Sequence, residues 1–184
     1  MASEFSKRAS QAAVIAVLSA AVLTACASGT GDEDSLTLAA TKSPAQLLRN
    51  EAADRVPAEQ VEAIIKSQDE STSCRTVETD PDGLLRSWRS AVRFQLVNDS
   101  SVDPDAVLET LVNSFVDDGW SRGIFGVETI VELTRTGSET TIHVSVSRPD
   151  PNEGAQIQLA VAGPCVMTDG RESTEVTSLG DVHE

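Results

Sequence analysis

The sequence predicts an α+β fold, a two-layer sandwich in which helices cover one face of a four-stranded sheet that is mostly antiparallel or mixed. Two observations lead to this prediction. Segments rich in Val, Ile and Leu alternate apolar and polar residues with a period of two, which is typical of half-buried strands. Other segments carry apolar residues at helical spacing after a capping residue and a proline. A chain of 184 residues fits a single domain of this kind.

The first helix is expected to begin at Ser43–Pro44, where the serine oxygen can cap the helix and the proline fits its first turn. Apolar residues then follow at helical spacing up to Pro57. Beyond Pro57, Val61, Ile64 and Ile65 share one face of a second expected helical piece. The apolar residues of the first expected helix are Leu47, Leu48, Ala52 and Val56.

The first strand is expected over residues 88–96, after a turn at residues 80–83. Apolar and polar positions alternate there, with Trp88 and Phe94 on the apolar side and Arg89 and Arg93 on the other. Trp88 is therefore predicted to lie in the core.

A second well-marked helix is expected between Asp103–Pro104 and Gly119. Asp103 supplies the cap and Gly119 the stop, and between them lies an apolar stripe from Leu108 to Val116. Trp120, directly after the stop, is expected to fold back onto the helix end.

Three further strands are expected in the second half of the chain. Alternation over residues 127–133 and 142–146, with a turn at 136–138, predicts a β-hairpin. The last strand is expected over 157–161. Because one helix separates the strand at 88–96 from that at 127–133, these two are expected to be parallel neighbours in a mixed sheet.

Residues 1–25 read as a secretory signal peptide. Lys7 and Arg8 precede an uncharged apolar run from Ala12 to Ala25. As a helix this run spans about 21 Å, which is shorter than the hydrocarbon core of about 30 Å. A cleaved export signal is therefore favoured over a permanent membrane span.

The residues Leu23, Thr24, Ala25 and Cys26 at the end of this run resemble the lipobox of bacterial lipoproteins. The resemblance implies cleavage before Cys26 and a covalent diacylglyceryl group on its thiol. It also implies a location on the outer face of the cell membrane. No other cofactor is expected.

Three cysteines are present, an odd number for an exported chain. With Cys26 assigned to lipid, Cys74 and Cys165 remain and are expected to form a disulfide. A redox or metal-binding thiol pair is the alternative, but no CxxC motif or nearby histidine favours it. The chain is expected to consist of four segments: signal peptide 1–25, lipidated cysteine and acidic tether 26–41, one α+β domain 42–167, and a disordered acidic tail 168–184.

The formal net charge of −15 bears on the partners of the chain. Removal of residues 1–25 takes away Lys7, Arg8 and Glu4 and makes the net charge −16. Such a chain repels phosphate backbones, so nucleic-acid binding is not expected. The Asp clusters, such as Asp99, Asp103 and Asp105, are interpreted as turns and helix caps, and no metal site is expected.

The polar side of the predicted sheet is the candidate binding face. Its members are Arg89, Arg93, Glu128, Glu132 and His143. The alternative is that Arg89 and Arg93 form cross-strand ion pairs with Glu128 or Glu132 and that His143 is an ordinary surface residue.

The whole pattern is similar to small lipoproteins of actinobacteria, because it combines the Ala-rich signal, the Leu-Thr-Ala-Cys box, Cys74 and a closing Gly163-Pro164-Cys165. The resemblance implies a place in the cell envelope and no particular activity. We therefore expect a non-enzymatic binding or accessory module for an envelope protein. Two alternatives stay open: a carrier with a cleft between helices and sheet for a lipid or other small ligand, and a cell-wall hydrolase that uses His143.

Overall fold

The computed structural model describes residues 36–124, 130–149 and 153–183, and these belong to one compact unit. Three helices and eight strands follow one another in this order: α1 Leu38–Asp54, β1 Val61–Ser73, β2 Leu85–Leu96, α2 Pro104–Asp117, β3 Ser121–Ile124, β4 Ile130–Thr134, β5 Thr141–Ser147, β6 Gln156–Ala162, β7 Val166–Met167, α3 Thr174–Thr177 and β8 Asp181–His183. The α+β prediction is confirmed.

A single sheet contains all eight strands. Seven of them lie side by side in the order β3-β4-β5-β6-β2-β1-β8, and the two-residue β7 pairs with one end of β2. Every pairing is antiparallel except that of β1 with β8. The prediction of a mostly antiparallel sheet is confirmed, but the expected number of four strands is wrong.

The expected parallel pairing of the strands at 88–96 and 127–133 is also wrong. In the structure β5 and β6 lie between β4 and β2. Helix α2 and β3 carry the chain from β2 to the far side of the sheet, and the chain then returns strand by strand toward β2. The connection through α2 therefore spans three later strands, β4, β5 and β6, which local patterning does not reveal.

Both long helices pack against the same face of the sheet. One cluster of buried side chains joins α1, α2 and the apolar positions of β2, β4, β5 and β6. Trp88, Phe115 and Leu159 in this cluster have no exposed surface. The prediction that Trp88 lies in the core is confirmed, and the alternate positions of β2 point to the opposite face.

Helix α2 has the ends that the sequence predicts. Asp103 caps it by accepting the backbone N–H of Asp105 at 3.0 Å, and Gly119 follows its end with a φ of 86°. Trp120 packs edge-on against Phe115, with ring centroids 5.7 Å apart. The indole is only 8% exposed, so Trp120 closes the core at this helix end.

The second helical piece predicted after Pro57 is limited to one 3-10 turn, Ala58–Gln60, and the prediction is wrong for the apolar stripe, because residues 61–73 form β1. Val61, Ile64 and Ile65 have helical spacing, but all three are β-branched and favour extended backbone. Strand β1 pairs with β2 from Val61 to Ser73, with two bulges near its start. These non-local hydrogen bonds outweigh a weak local helical pattern.

Helix α1 begins before the predicted Ser43–Pro44. Thr37 caps it by accepting the N–H of Ala40 at 3.3 Å, and Pro44 lies inside the helix. Leu38 is fully buried, and burial of a leucine stabilises by about 2 kcal/mol, which offsets part of the cost of about 3 kcal/mol for Pro44 inside the helix. The predicted tether at 26–41 therefore ends before Leu38; residues 26–35 lie outside the described part.

The prediction of a disordered tail at 168–184 is wrong over its described residues. Ser173 caps α3, and Val176 of that helix is fully buried in the core cluster. Lys42 of α1 donates to the carbonyl of Leu179 at 2.7 Å and lies 4.5 Å from the centre of the Trp88 ring. One buried valine and these polar contacts hold a segment whose composition is mostly polar.

The predicted disulfide is confirmed. Cys74 and Cys165 are bonded across a sequence separation of 91 residues. The bond joins the end of β1 to the segment between β6 and β7. Both of these flank β2, so the disulfide links the segments on the two sides of β2 at one end of the sheet.

The predicted signal peptide at 1–25, the lipobox at Leu23, Thr24 and Ala25, and Cys26 lie outside the described residues. Among the described helices, none has the length and apolar character that a membrane crossing requires.

Candidate functional site

The candidate site is the face of the sheet opposite α1 and α2, which we call the open face. Its centre consists of residues on β1, β2, β5 and β6 that point away from the core. Within the described residues no helix covers this face, and its polar side chains are half-buried or exposed apart from the buried Glu70. The open face contains Lys66, Gln68, Arg89, Ala91, Arg93, His143, Ser145, Gln158 and Ala160, with Glu70 and Glu132 at its sides.

Arg89 forms an ion pair that the sequence did not predict. Its Nη1 donates to Oε1 of Glu70 on β1 at 2.7 Å, and the Glu70 side chain is only 5% exposed. The predicted pairing of Arg89 or Arg93 with Glu132 is wrong. Two strands separate β2 from β4, and at about 4.8 Å per strand the gap is about 14 Å. The other predicted partner, Glu128, lies outside the described residues.

Arg93 is held by a neutral partner. Its Nη2 and Nε donate to Oε1 of Gln158 on β6 at 2.6 and 3.2 Å. On its other side Arg93 lies directly opposite Lys66 of β1 in the strand register. Two cations are therefore cross-strand neighbours, an arrangement that is unfavourable in the absence of an anion.

The floor of the open face between these cations is made by small residues. Ala91 of β2 is the register partner of Ala160 on β6, and longer side chains surround both. The resulting depression is lined by Lys66, Arg89 and Arg93 among others and has a volume of about 20 Å³. That is little more than the space of one water molecule, so the face is shallow.

His143 pairs with Glu132, its direct register partner on β4. Their Nε2 and Oε2 atoms are 3.2 Å apart, and both side chains are roughly a quarter exposed. This cross-strand pair accounts for the position of His143 by ordinary sheet packing. Glu132 and His143 lie beside the cationic centre, toward the β4 side of the face.

The Asp clusters have the local roles expected of turns and caps. Both carboxylate oxygens of Asp80 accept backbone N–H groups, from Leu84 at 2.9 Å and Leu85 at 2.8 Å. These bonds, together with the charge of Arg75, lower the pKa of the Asp80 carboxyl. Asp99 accepts the N–H of Ser101 at 2.7 Å. In the described part of the chain, no group of three or more His, Cys, Asp or Glu side chains is placed to hold a metal ion.

The structure therefore brings Arg89 and Arg93 together and places Glu132 and His143 beside them. Sequence reasoning missed Lys66, Gln68 and Glu70, because their segment was expected to be helical. The alternation of Lys66, Gln68 and Glu70 on one side of a strand is the signal that would have revealed them.

No protein-family model, no curated protein and no solved structure matches this chain.

Proposed function

We propose that the protein is a non-enzymatic accessory module, held on the outer face of the cell membrane by lipid on Cys26, and that its open face docks an acidic segment of an envelope protein. The observation that carries the docking proposal is the pair of Lys66 and Arg93 on a sheet face that no helix of the described residues covers. The rest of the molecule is strongly acidic, since the chain without residues 1–25 has a net charge of −16.

Charge favours an acidic occupant for this face. Lys66 is exposed and stands opposite Arg93, so a carboxylate placed between them would relieve their mutual repulsion. Arg89 is already neutralised by Glu70. The positive centre would also steer an acidic partner toward this face, while the acidic remainder of the surface repels it elsewhere.

Shape favours a protein partner over a small molecule. Pockets for small molecules usually measure about 300–1,000 Å³ and enclose their ligand. The depression of about 20 Å³ on the open face is far smaller. A broad polar surface with a small-residue floor suits a flat protein contact with a few side chains inserted.

The two alternative functions gain no support from the packing. The space between helices and sheet, where a carrier would need its cleft, is filled by core residues such as Leu111, Phe115 and Leu159, all fully buried. His143, the residue that a hydrolase would use, is engaged with Glu132. Neither observation points to a bound lipid or to a reaction.

The proposed anchor rests on the sequence. Two acyl chains of about 15 methylenes at about 0.8 kcal/mol each would contribute about 24 kcal/mol, which makes attachment at Cys26 effectively permanent. Residues 27–37 would then connect the anchor to α1.

Site-specific photo-crosslinking in the cells that make the protein tests the docking proposal. A photoreactive amino acid replaces Ser145 on the open face in one strain and Leu47 on the outside of α1 in another. We expect a covalent adduct of defined mass from position 145 and none from position 47, which is 69% exposed and serves as the matched surface position.

Charge reversal then tests the mechanism. Lys66→Glu combined with Arg93→Glu should abolish the adduct at position 145, whereas Arg135→Glu, at an exposed position after β4, should preserve it. Circular dichroism confirms that each variant is folded. The proposal is wrong if both positions give the same adducts or if the adduct survives reversal of Lys66 and Arg93.

A further inference from the structure

Strand β1 has an open edge along most of its length. On one side it pairs with β2 from Val61 to Ser73, but on the other side β8 pairs only with residues 70–72. Within the described residues no other strand pairs with β1 on that side. Residues 61–69 therefore direct backbone N–H and C=O groups outward from the sheet, and we call this segment the free edge.

The free edge also exposes apolar side chains. Ile64 is 64% exposed and Ile65 is 45% exposed. Among the described residues, these are the only two large apolar side chains that are both exposed and adjacent in sequence. Isoleucine is β-branched and packs well against the side chains of a neighbouring strand. Outward backbone groups beside an apolar pair form an edge to which a further strand can add.

Two opposite charges flank Ile64 symmetrically on this edge. Glu62 lies two residues before it and Lys66 two residues after it, and both are exposed. In the part of the chain that the structure describes, neither side chain forms an ion pair or a hydrogen bond. A lysine and bulges, both present on β1, discourage an edge strand from pairing with unrelated strands. A strand that places a carboxylate opposite Lys66 offsets part of this discouragement.

The edge of a second copy of β1 has this property. In an antiparallel pair centred on Ile64 of both copies, a residue two positions before the centre lies opposite a residue two positions after it. Glu62 of each copy then lies opposite Lys66 of the other, so the two-fold symmetry gives two opposite-charge pairs around an apolar centre. A register shifted by one residue places Glu62 opposite Ile65 or Ser67 and loses both pairs.

From this complementarity we infer that the protein forms a homodimer through antiparallel pairing of the free edges of two copies. The inference goes beyond the docking of an acidic segment and does not depend on it. Because antiparallel strands of one sheet share its two faces, both open faces lie on the same side of the joined sheet. The ammonium group of Lys66 has three donors, so it can contact Glu62 of the second copy and a carboxylate on the open face together.

The net negative charge of the chain opposes this association at long range. At physiological ionic strength the Debye length is about 8 Å, so charges on distant parts of the two copies are largely screened. Opposite charges in direct contact across the joined edges are screened less. The register with two such pairs is therefore favoured over other arrangements of the two copies.

Cysteine crosslinking in the cells that make the protein tests the inference. Ile64→Cys places a thiol at the two-fold axis, where opposing Cα atoms would be about 4.5–5.5 Å apart, a spacing that a disulfide accepts. After mild oxidation we expect a disulfide-linked species of twice the chain mass. The matched control Leu47→Cys, at a position that is 69% exposed on α1, and the wild type with its natural cysteines should give none. No dimer from Ile64→Cys, or equal yields from Ile64→Cys and Leu47→Cys, would overturn the inference.

Exchange of the two charges tests the register. In the Ile64→Cys background, Glu62→Lys or Lys66→Glu alone puts like charges opposite each other in both pairs, and each should lower the dimer yield about tenfold. Glu62→Lys/Lys66→Glu together should restore the yield, because the pairs form again with their charges exchanged. Single variants that crosslink as well as their parent, or a double variant that does not recover, would contradict the inferred pairing.

The variant Glu62→Lys also separates this inference from the docking proposal. It keeps Lys66 and Arg93 on the open face, so the photo-adduct at position 145 should persist while the dimer is lost. A dimer that survives Glu62→Lys counts against the pairing of free edges alone, and an adduct absent from the wild type counts against docking alone.

Discussion

The disulfide between Cys74 and Cys165 should account for a large part of the stability of the domain. The perturbation is the double substitution Cys74→Ser/Cys165→Ser, which removes the bond without leaving a single free thiol. The bond spans 91 residues, and for a loop of that length the chain-entropy model gives about 4.5 kcal/mol of stabilisation. Since domains are typically stable by about 5–15 kcal/mol, the variant should lose about 30% or more of the wild-type free energy of unfolding.

Urea unfolding followed by tryptophan fluorescence measures this loss, because Trp88 is fully buried in the folded protein. With a slope of about 2 kcal/mol per molar urea, the midpoint should fall by about 2 M. Dithiothreitol should bring the wild-type midpoint down to that of the variant and leave the variant unchanged. A loss below about 1 kcal/mol, or a wild-type midpoint that does not respond to the reductant, would refute the reasoning.

Three further substitutions have defined outcomes. Arg89→Met should destabilise the domain by about 1–2 kcal/mol in chemical denaturation, because it leaves the buried Glu70 carboxylate without its ion pair; adding Glu70→Gln should recover part of the loss, and an additive effect of the two changes would contradict this. Asp80→Asn should lower the free energy of unfolding above pH about 4 and have a progressively smaller effect below it. Because the pKa of Asp80 is lowered in the folded state, the carboxylate stabilises the fold fully above its ordinary pKa, and this stabilisation is lost as the pH falls through the folded-state pKa. A difference in stability between wild type and variant that grows in acid would contradict this. Gly119→Ala should lower the free energy of unfolding by about 1 kcal/mol, since residue 119 has a φ of 86°, and an unchanged value would show that the turn relaxes.

The elements that could be predicted are those whose local pattern agrees with their place in the fold. Strand β2 alternates from Trp88 to Leu96. Every second residue points to the core, and these residues are apolar except for the fully buried Ser90. Helix α2 has its cap, stripe and stop within one segment. In both cases the pattern depends only on neighbouring residues.

The elements that could not be predicted depend on distant partners. Residues 61–73 carry apolar residues at helical spacing, and only the pairing with β2 makes them a strand. Among the described side chains after Met167, Val176 is a fully buried apolar anchor, and the polar composition around it is the same as that of a disordered tail. In the same way, the buried Leu38 extends α1 to a start before the predicted Ser43–Pro44.

The candidate site was predictable in part for the same reason. The alternation of β2 places Arg89 and Arg93 on the polar face, and the hairpin places Glu132 beside His143. Which residues pair with the two arginines depends on strand order, and that order is non-local. That Glu70 is the partner of Arg89 and Gln158 the partner of Arg93 could therefore be found only from the structure.

The account of the protein at the membrane depends most directly on the chemistry of Cys26, and the mass of the N-terminal peptide of the mature protein tests it. We expect that peptide to begin at Cys26 and to carry the added mass of a diacylglyceryl group. The variant Cys26→Ser should lose both this mass and its place in the membrane fraction. A mature protein in which Cys26 retains a free thiol would contradict the proposed anchor.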